Sequence, residues 1–165
     1  MANTLLRTDK EIADIYQRHV QAVYRLCFAY MKNPADAEDA VSNTFCRMIQ
    51  SGPVFESQAH AQAWLIRTAG NLCKNSLKHW WRRNEPLEDH VHLHGSAPVE
   101  IDSTLEAIMA LPDRYKTVVY LYYYECYTGA EIAAILRKPQ STVRNHLREA
   151  RIILKRKLGG DFDEA

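Results

Sequence analysis

A chain of 165 residues with a formal net charge of +1 is long enough for one ordinary domain or two small ones, and too neutral for indiscriminate binding to polyanions. Its ample apolar fraction and few glycines and prolines exclude disorder as the default. It has no run of about 18 apolar residues, so membrane insertion is not expected. The opening MANTLLRTDKEIADIY turns polar and acidic before a signal-peptide core can form, so the expected location is the cytoplasm.

The helical period runs almost throughout. Thr8 and Glu11 form a T-x-x-E capping box, followed by Ile12, Ile15, Tyr16, Val20, Val23, Cys27 and Tyr30 at three- and four-residue spacing. Asn33-Pro34 reads as an N-cap with proline at the first helical position, ahead of an apolar face of Val41, Phe45, Met48 and Ile49. After Ser51-Gly52-Pro53 and an irregular PVFESQ comes a third, long helix with Trp64, Leu65, Thr68, Leu72 and Leu77 on its stripe. From Asn84 to Glu100 the period vanishes in NEPLEDHVHLHGSAPVE, a linker by composition. It resumes with a box of Ser103 and Glu106, then Pro112-Asp113, then Thr128 with Glu131, and last a helix that Ser141 is expected to cap. No strand alternation persists. The expected fold is all-α, two small helical modules joined by a flexible linker. Cys27, Cys46, Cys73 and Cys126 lie far apart among apolar neighbours and read as reduced, packed thiols.

Charge is distributed unevenly. From Arg137 to Lys157 eight Lys/Arg face one acid, Glu149, and from Arg67 to Arg83 five basic residues face none. Acids gather at Asp36, Glu38 and Asp39, around Glu85–Asp89 and in the DFDEA tail. In the last helix Val143, Leu147, Ala150 and Leu154 share an apolar face, with Ile153 beside it. Arg144, Arg148, Arg151 and Lys155 share a neighbouring one. The helix before offers Ile132, Ala133, Ile135 and Leu136 for packing. A short helix, a tight turn and a second helix, apolar inside and basic outside, suit a DNA-binding helix-turn-helix. They also suit a solvated helical hairpin, and spacing alone does not decide between the two.

Longer motifs do more. EIAAIL and STVRNHLREAR resemble the helix-turn-helix of the bacterial sigma-70 factors, EIAxxLG, a turn, then GTVxSRLxRAR. ADAEDAVSNTF resembles the AEDLVQETF signature of the same family, and AWLIRTAGNLCKNSLKHWWRR its WLxxIARNxxxDxLRRxxR helix. The three stand in family order. With two modules and a short linker the chain is similar to the extracytoplasmic-function (ECF) subgroup. The resemblance implies a region-2-like domain over 1–84 for core polymerase and the −10 element, a linker over 85–101, and a region-4-like domain over 102–160 for the −35 element. It implies an alternative sigma factor, with no enzyme activity and no cofactor of its own. Its partners would be core RNA polymerase, through the clamp of the largest subunit and the flap of the second, promoter DNA and an anti-sigma factor.

Residue by residue, the resemblance assigns polymerase contact to Asp36, Glu38, Asp39, Ser42 and Asn43, although Asp36 also suits a helix dipole by itself. Segment 54–60 occupies the place of the family loop that captures a flipped base. There Phe55 can stack or plug the core, and Glu56, Ser57, Gln58 and His60 can bond a base edge. Asn71 matches the family asparagine near that pocket. Arg67, Lys74, Lys78, Arg82 and Arg83 would track strand phosphates, and Trp80 and Trp81 would wedge the duplex fork or cap the core. In the second module Arg144, Asn145 and Arg148 map to −35 base reading, and Ser141, Thr142, His146 and Arg151 to phosphates. Departures are Ser42 for a usual glutamine, Arg137 for a turn glycine, Asn145-His146 for Ser-Arg, and Glu149 for a frequent arginine.

Rival readings are a metal protein built on His90, His92 and His94, a two-domain helix-turn-helix regulator acting on duplex DNA without polymerase, and an adaptor binding only proteins. The histidines lack a companion Cys or carboxylate cluster, so no metal is expected. No nucleophile elbow or phosphate loop is present.

Overall fold

The computed structural model describes residues 7–83 and 100–158, and of Trp80, Trp81, Arg82, Arg83 and Leu158 the backbone alone. Most of the expected linker, with His90, His92 and His94, lies outside the described residues. The chain divides into two compact units, Met1–Glu100 and Ile101–Ala165. Every described element is helical.

In the first unit α1 spans Asp9–Met31, α2 Pro34–Ser51 and α3 Gln58–Arg83. The capping box is made: Glu11 N–H donates to Thr8 Oγ1 at 3.1 Å and Thr8 N–H to Glu11 Oε1 at 2.8 Å, a device worth about 1 kcal/mol. Lys32 ends α1 in the left-handed region, and Asn33 caps α2 by accepting from Asp36 N–H, with Pro34 at the first position. The three helices pack on each other over Val23, Leu26, Cys27, Val41, Phe45, Met48, Leu65, Ile66, Ala69 and Cys73. Two residues expected on that face are turned out: Tyr16 and Ile49 are each 45 % exposed. Ile49 follows the fully buried Met48 by 100° of helix, which carries it to the rim. With Ile12 and Phe45 they line a shallow recess of about 310 Å³. The thiol reading needs the same correction, since Cys27 and Cys73 are buried but Cys46 and Cys126 exposed. Apolar neighbours in sequence do not bury a helical residue whose own direction faces water.

In the second unit α4 spans Ser103–Met109 and α5 Asp113–Val119, which runs on as a π-helical turn over Tyr120–Tyr124; α6 spans Gly129–Leu136 and α7 Gln140–Leu158. Two expected caps move. Asp102, not Ser103, caps α4, accepting Leu105 N–H at 2.9 Å on Oδ1 and the Tyr124 hydroxyl at 2.7 Å on Oδ2. Aspartate caps as well as serine, and the second bond fixes its place. The Pro139 carbonyl opens α7 by accepting from Thr142 and Val143 at 3.1 and 3.2 Å, so Ser141 lies inside the first turn. The Thr128–Glu131 box is made. Val143, Leu147, Ala150 and Leu154 are all buried where α7 packs on α5 and α6, and Leu105, Val118, Tyr120, Leu121 and Ile132 are buried in the same unit.

The turn between α6 and α7 is closed without glycine. Arg137 takes φ 57°, ψ 48°. Its N–H reaches the Ala134 carbonyl at 3.4 Å, and Lys138 N–H the Ala133 carbonyl at 3.0 Å. These are the two bonds of a Schellman ending, where glycine is the usual left-handed residue.

Candidate nucleic-acid interface

The stretch between α2 and α3 is held from three sides. Gly52 N–H ends α2 by donating to the Met48 carbonyl at 2.9 Å, and a Cβ there would lie 2.7 Å from that oxygen. Ser57 caps α3, its Oγ accepting from His60 N–H at 3.0 Å, while His60 Nδ1 accepts from Glu56 N–H at 3.0 Å. Phe55 is half-buried, its ring centroid 5.2 Å from that of His60 and 5.9 Å from that of Trp64. Three of the expected base readers are therefore engaged in holding the loop: Ser57, His60 and Phe55. Glu56 and Gln58 line an adjoining cavity of about 590 Å³, together with Arg7, Glu11 and Asp14, a size that takes a small planar molecule.

Two residues of this site escaped the sequence reading. Arg7 donates to the Met48 carbonyl at 3.0 Å and to the Pro53 carbonyl, and its guanidinium lies 4.7 Å from the Phe55 centroid. Burial holds the Arg7 pKa below its ordinary value. His19, on the buried stripe of α1, faces Gln58 across 2.9 Å. The signal for His19 was present, since it falls four residues after Ile15 and four before Val23, a polar side chain on an apolar stripe. Nothing in the periodicity marks Arg7.

Along α3, Arg67, Asn71, Lys74 and Lys78 follow at four, three and four residues and so share a face. Asn71 and Lys78 are exposed, Arg67 and Lys74 half-buried. On α2, Asp39, Ser42, Asn43 and Cys46 form a second exposed face, with Glu38 half-buried. Asp36 is not part of it. It is 7 % exposed, and its Oδ2 accepts from Asn33 Nδ2 at 2.7 Å.

On α7, Ser141, Arg144, Asn145 and Arg148 are exposed and Thr142 half-buried. His146 and Arg151 are turned toward α5 and the π turn. The His146 ring meets Tyr115 edge-on at 5.4 Å, and Arg151 Nε donates to the Tyr123 hydroxyl at 3.1 Å, with its guanidinium 6.0 Å from the Tyr122 centroid. That hydrogen bond raises the Arg151 pKa above its ordinary value. Glu149 accepts from the Tyr115 hydroxyl at 2.9 Å, so the carboxylate at this unusual position serves the packing of α7 on α5. Lys116, 1 % exposed, pairs with Asp113 at 3.1 Å beneath the same helix. Among the described residues no group of three or more metal-ligating side chains occurs, and no helix is long and apolar enough to cross a membrane.

The chain matches the family models of sigma-70 region 2 over residues 15–83 and sigma-70 region 4 over residues 101–154. It is 31 % identical to the RNA polymerase sigma factor SigV of Bacillus subtilis, covering 80 % of this chain and 81 % of that one. It is 26 % identical to the ECF RNA polymerase sigma factor SigW of the same organism, over 90 % and 87 % of the two chains. The sigma factor RpoE of Bartonella quintana, solved with the anti-sigma factor NepR, superposes with a TM-score of 0.70 at 18 % identity, over 92 % of this chain and 99 % of that one.

Proposed function

Because the chain belongs to the sigma-70 family and is an alternative sigma factor of the ECF subgroup, we propose that its two units divide promoter recognition between them. The first unit engages core polymerase through the exposed α2 face of Asp39, Ser42 and Asn43, with Glu38 at its edge. It opens the −10 element with the 54–60 loop and the basic α3 face. The second unit reads the −35 element in the major groove with Arg144, Asn145 and Arg148 of α7, while Ser141 and Thr142 meet phosphates at the helix start. His146 and Arg151 set the angle of α7 through Tyr115 and Tyr123.

The observation that carries this reading is one helix sorted by direction. On α7 Val143, Leu147, Ala150 and Leu154 are buried, and Arg144, Asn145 and Arg148 are left exposed at one end. That end is what a helix seated in a groove presents. A duplex-binding regulator that works without polymerase is not favoured, since a region 2 match accompanies the helix-turn-helix. As an initiation factor the protein adds no catalytic chemistry of its own. Its place of action is the cytoplasm, with an anti-sigma factor as its regulator.

Run-off transcription with core polymerase on a promoter library, with and without the protein, tests the assignment. Selective starts are expected only with the protein. Arg144→Ala should flatten the preference at one −35 base pair by about 1–3 kcal/mol while leaving the −10 preference intact. Loss at both elements alike would contradict the division of labour.

A further inference from the structure

We propose that His19 of α1 is a positioning residue for base capture, acting through Gln58; the inference rests on the reading of the 54–60 loop given above. His19 is 4 % exposed, and its Nε2 lies 2.9 Å from Gln58 Oε1. Its Nδ1 is buried without a hydrogen-bond partner among the described residues. A buried N–H left unpaired is rarer in proteins than a buried acceptor left bare, so the ring hydrogen belongs on Nε2. Nε2 then donates and the Gln58 oxygen accepts. A reversed amide would set N–H against N–H.

The direction of this bond decides what the cavity offers. With its oxygen held by His19, Gln58 has its two amide hydrogens left for the space of about 590 Å³ that it lines. It therefore presents a donor, which meets an unpaired base at an acceptor, either a carbonyl oxygen or an unprotonated ring nitrogen. Gln58 is also the first residue of α3, and the Ser57 cap fixes its backbone. His19 thus adds the side-chain half of the orientation from a helix 39 residues away in sequence. A freely turning amide would present donor and acceptor alike and would discriminate less.

The test uses the full chain with core polymerase in run-off transcription on templates varied at each −10 position, with complex formation and thermal unfolding measured beside it. His19→Phe keeps a ring in the core but removes the donor. It should flatten the preference at the captured base roughly threefold to tenfold, the worth of one hydrogen bond, as Gln58→Ala does, with the −35 preference unchanged. His19→Gln, whose amide N–H can stand in for Nε2–H, should restore most of it. In the double variant His19→Phe with Gln58→Ala the loss should equal that of Gln58→Ala alone. Gln58→Glu tests the same assignment without touching the core. It keeps an oxygen for His19, presents a second one to the cavity, and should move the preference toward a base offering an amino group. A wild-type preference in His19→Phe beside a flattened one in Gln58→Ala overturns the proposal alone, and so do losses that add in the double variant. If Gln58→Ala itself leaves every −10 preference unchanged, the reading of the loop falls and the proposal with it.

Discussion

Tyr24 is 2 % exposed, and its hydroxyl is buried with no hydrogen-bond partner among the described residues. Burial, helped by the neighbouring Glu38 and Cys27, pushes its pKa up to about 12 from an ordinary 10.0. A group whose folded pKa lies above its unfolded value adds stability that is whole below the unfolded value and lost as pH rises through the folded one. The urea midpoint of the native chain should therefore fall between pH 10 and 12 more steeply than that of Tyr24→Phe. At neutral pH the replacement should be neutral or stabilising by up to about 1 kcal/mol, since it removes an unpaired buried hydroxyl. Parallel pH curves for the two proteins would show that the hydroxyl is not desolvated as described. Single residues were also where sequence reading was weakest. Period alone assigned Tyr16 and Ile49 to the core and Cys46 to packing, and each is exposed. Direction on a helix changes by 100° per residue, so a stripe a little too wide captures rim positions.

Elements were more legible than residues, because a period summed over four or five turns averages such errors out. The inner face of α7 was read correctly at Val143, Leu147, Ala150 and Leu154, and the boxes at Thr8 and Thr128 fixed two helix starts. The starts at Asp102 and Pro139 were missed by one and two residues: at the first two cap-forming side chains are adjacent, and at the second a backbone carbonyl opens the helix. The π turn had no local signature. YLYYY reads as an ordinary helical run, and its extra residue per turn comes with the stacking of Tyr120 on Tyr124 at 5.3 Å. Arg137 gives the prediction at this scale. A non-glycine residue in the left-handed region costs roughly 1–2 kcal/mol, and glycine returns part of that gain through its larger unfolded-state entropy. Arg137→Gly should thus stabilise the chain by about 0.5–1 kcal/mol, read as a higher urea midpoint at unchanged slope. A lower midpoint would mean that the Arg137 side chain contributes more than its backbone costs. Either way the helix-turn-helix tolerates an unusual turn because both Schellman bonds are still made.

The whole molecule distributes a near-zero net charge over two separate cores. Eight basic residues against one acid lie from Arg137 to Lys157, and five against none from Arg67 to Arg83. Each unit thus carries a basic face of modest size, and neither face alone makes a polyelectrolyte binder. The expected division of the chain rested on loss of periodicity over some seventeen residues, a signal no single substitution can imitate. The bonds that shape the 54–60 loop were not legible, because Arg7 and His19 reach it across 46 and 39 residues. Two independent cores also make a prediction about linkage. Residues 1–100 and 101–165, produced as separate chains, should each unfold cooperatively, since each unit buries its own apolar face. Binding of the two units to one promoter gains from an effective concentration that only a covalent connection supplies, on the order of millimolar for short connections. Mixed halves should therefore direct selective initiation at least about a hundredfold less efficiently than the joined chain at the same concentration, with the deficit shrinking as both are raised toward millimolar. Equal activity of mixed and joined chains at micromolar concentration would mean that one unit alone carries promoter selection, and the other only adds affinity.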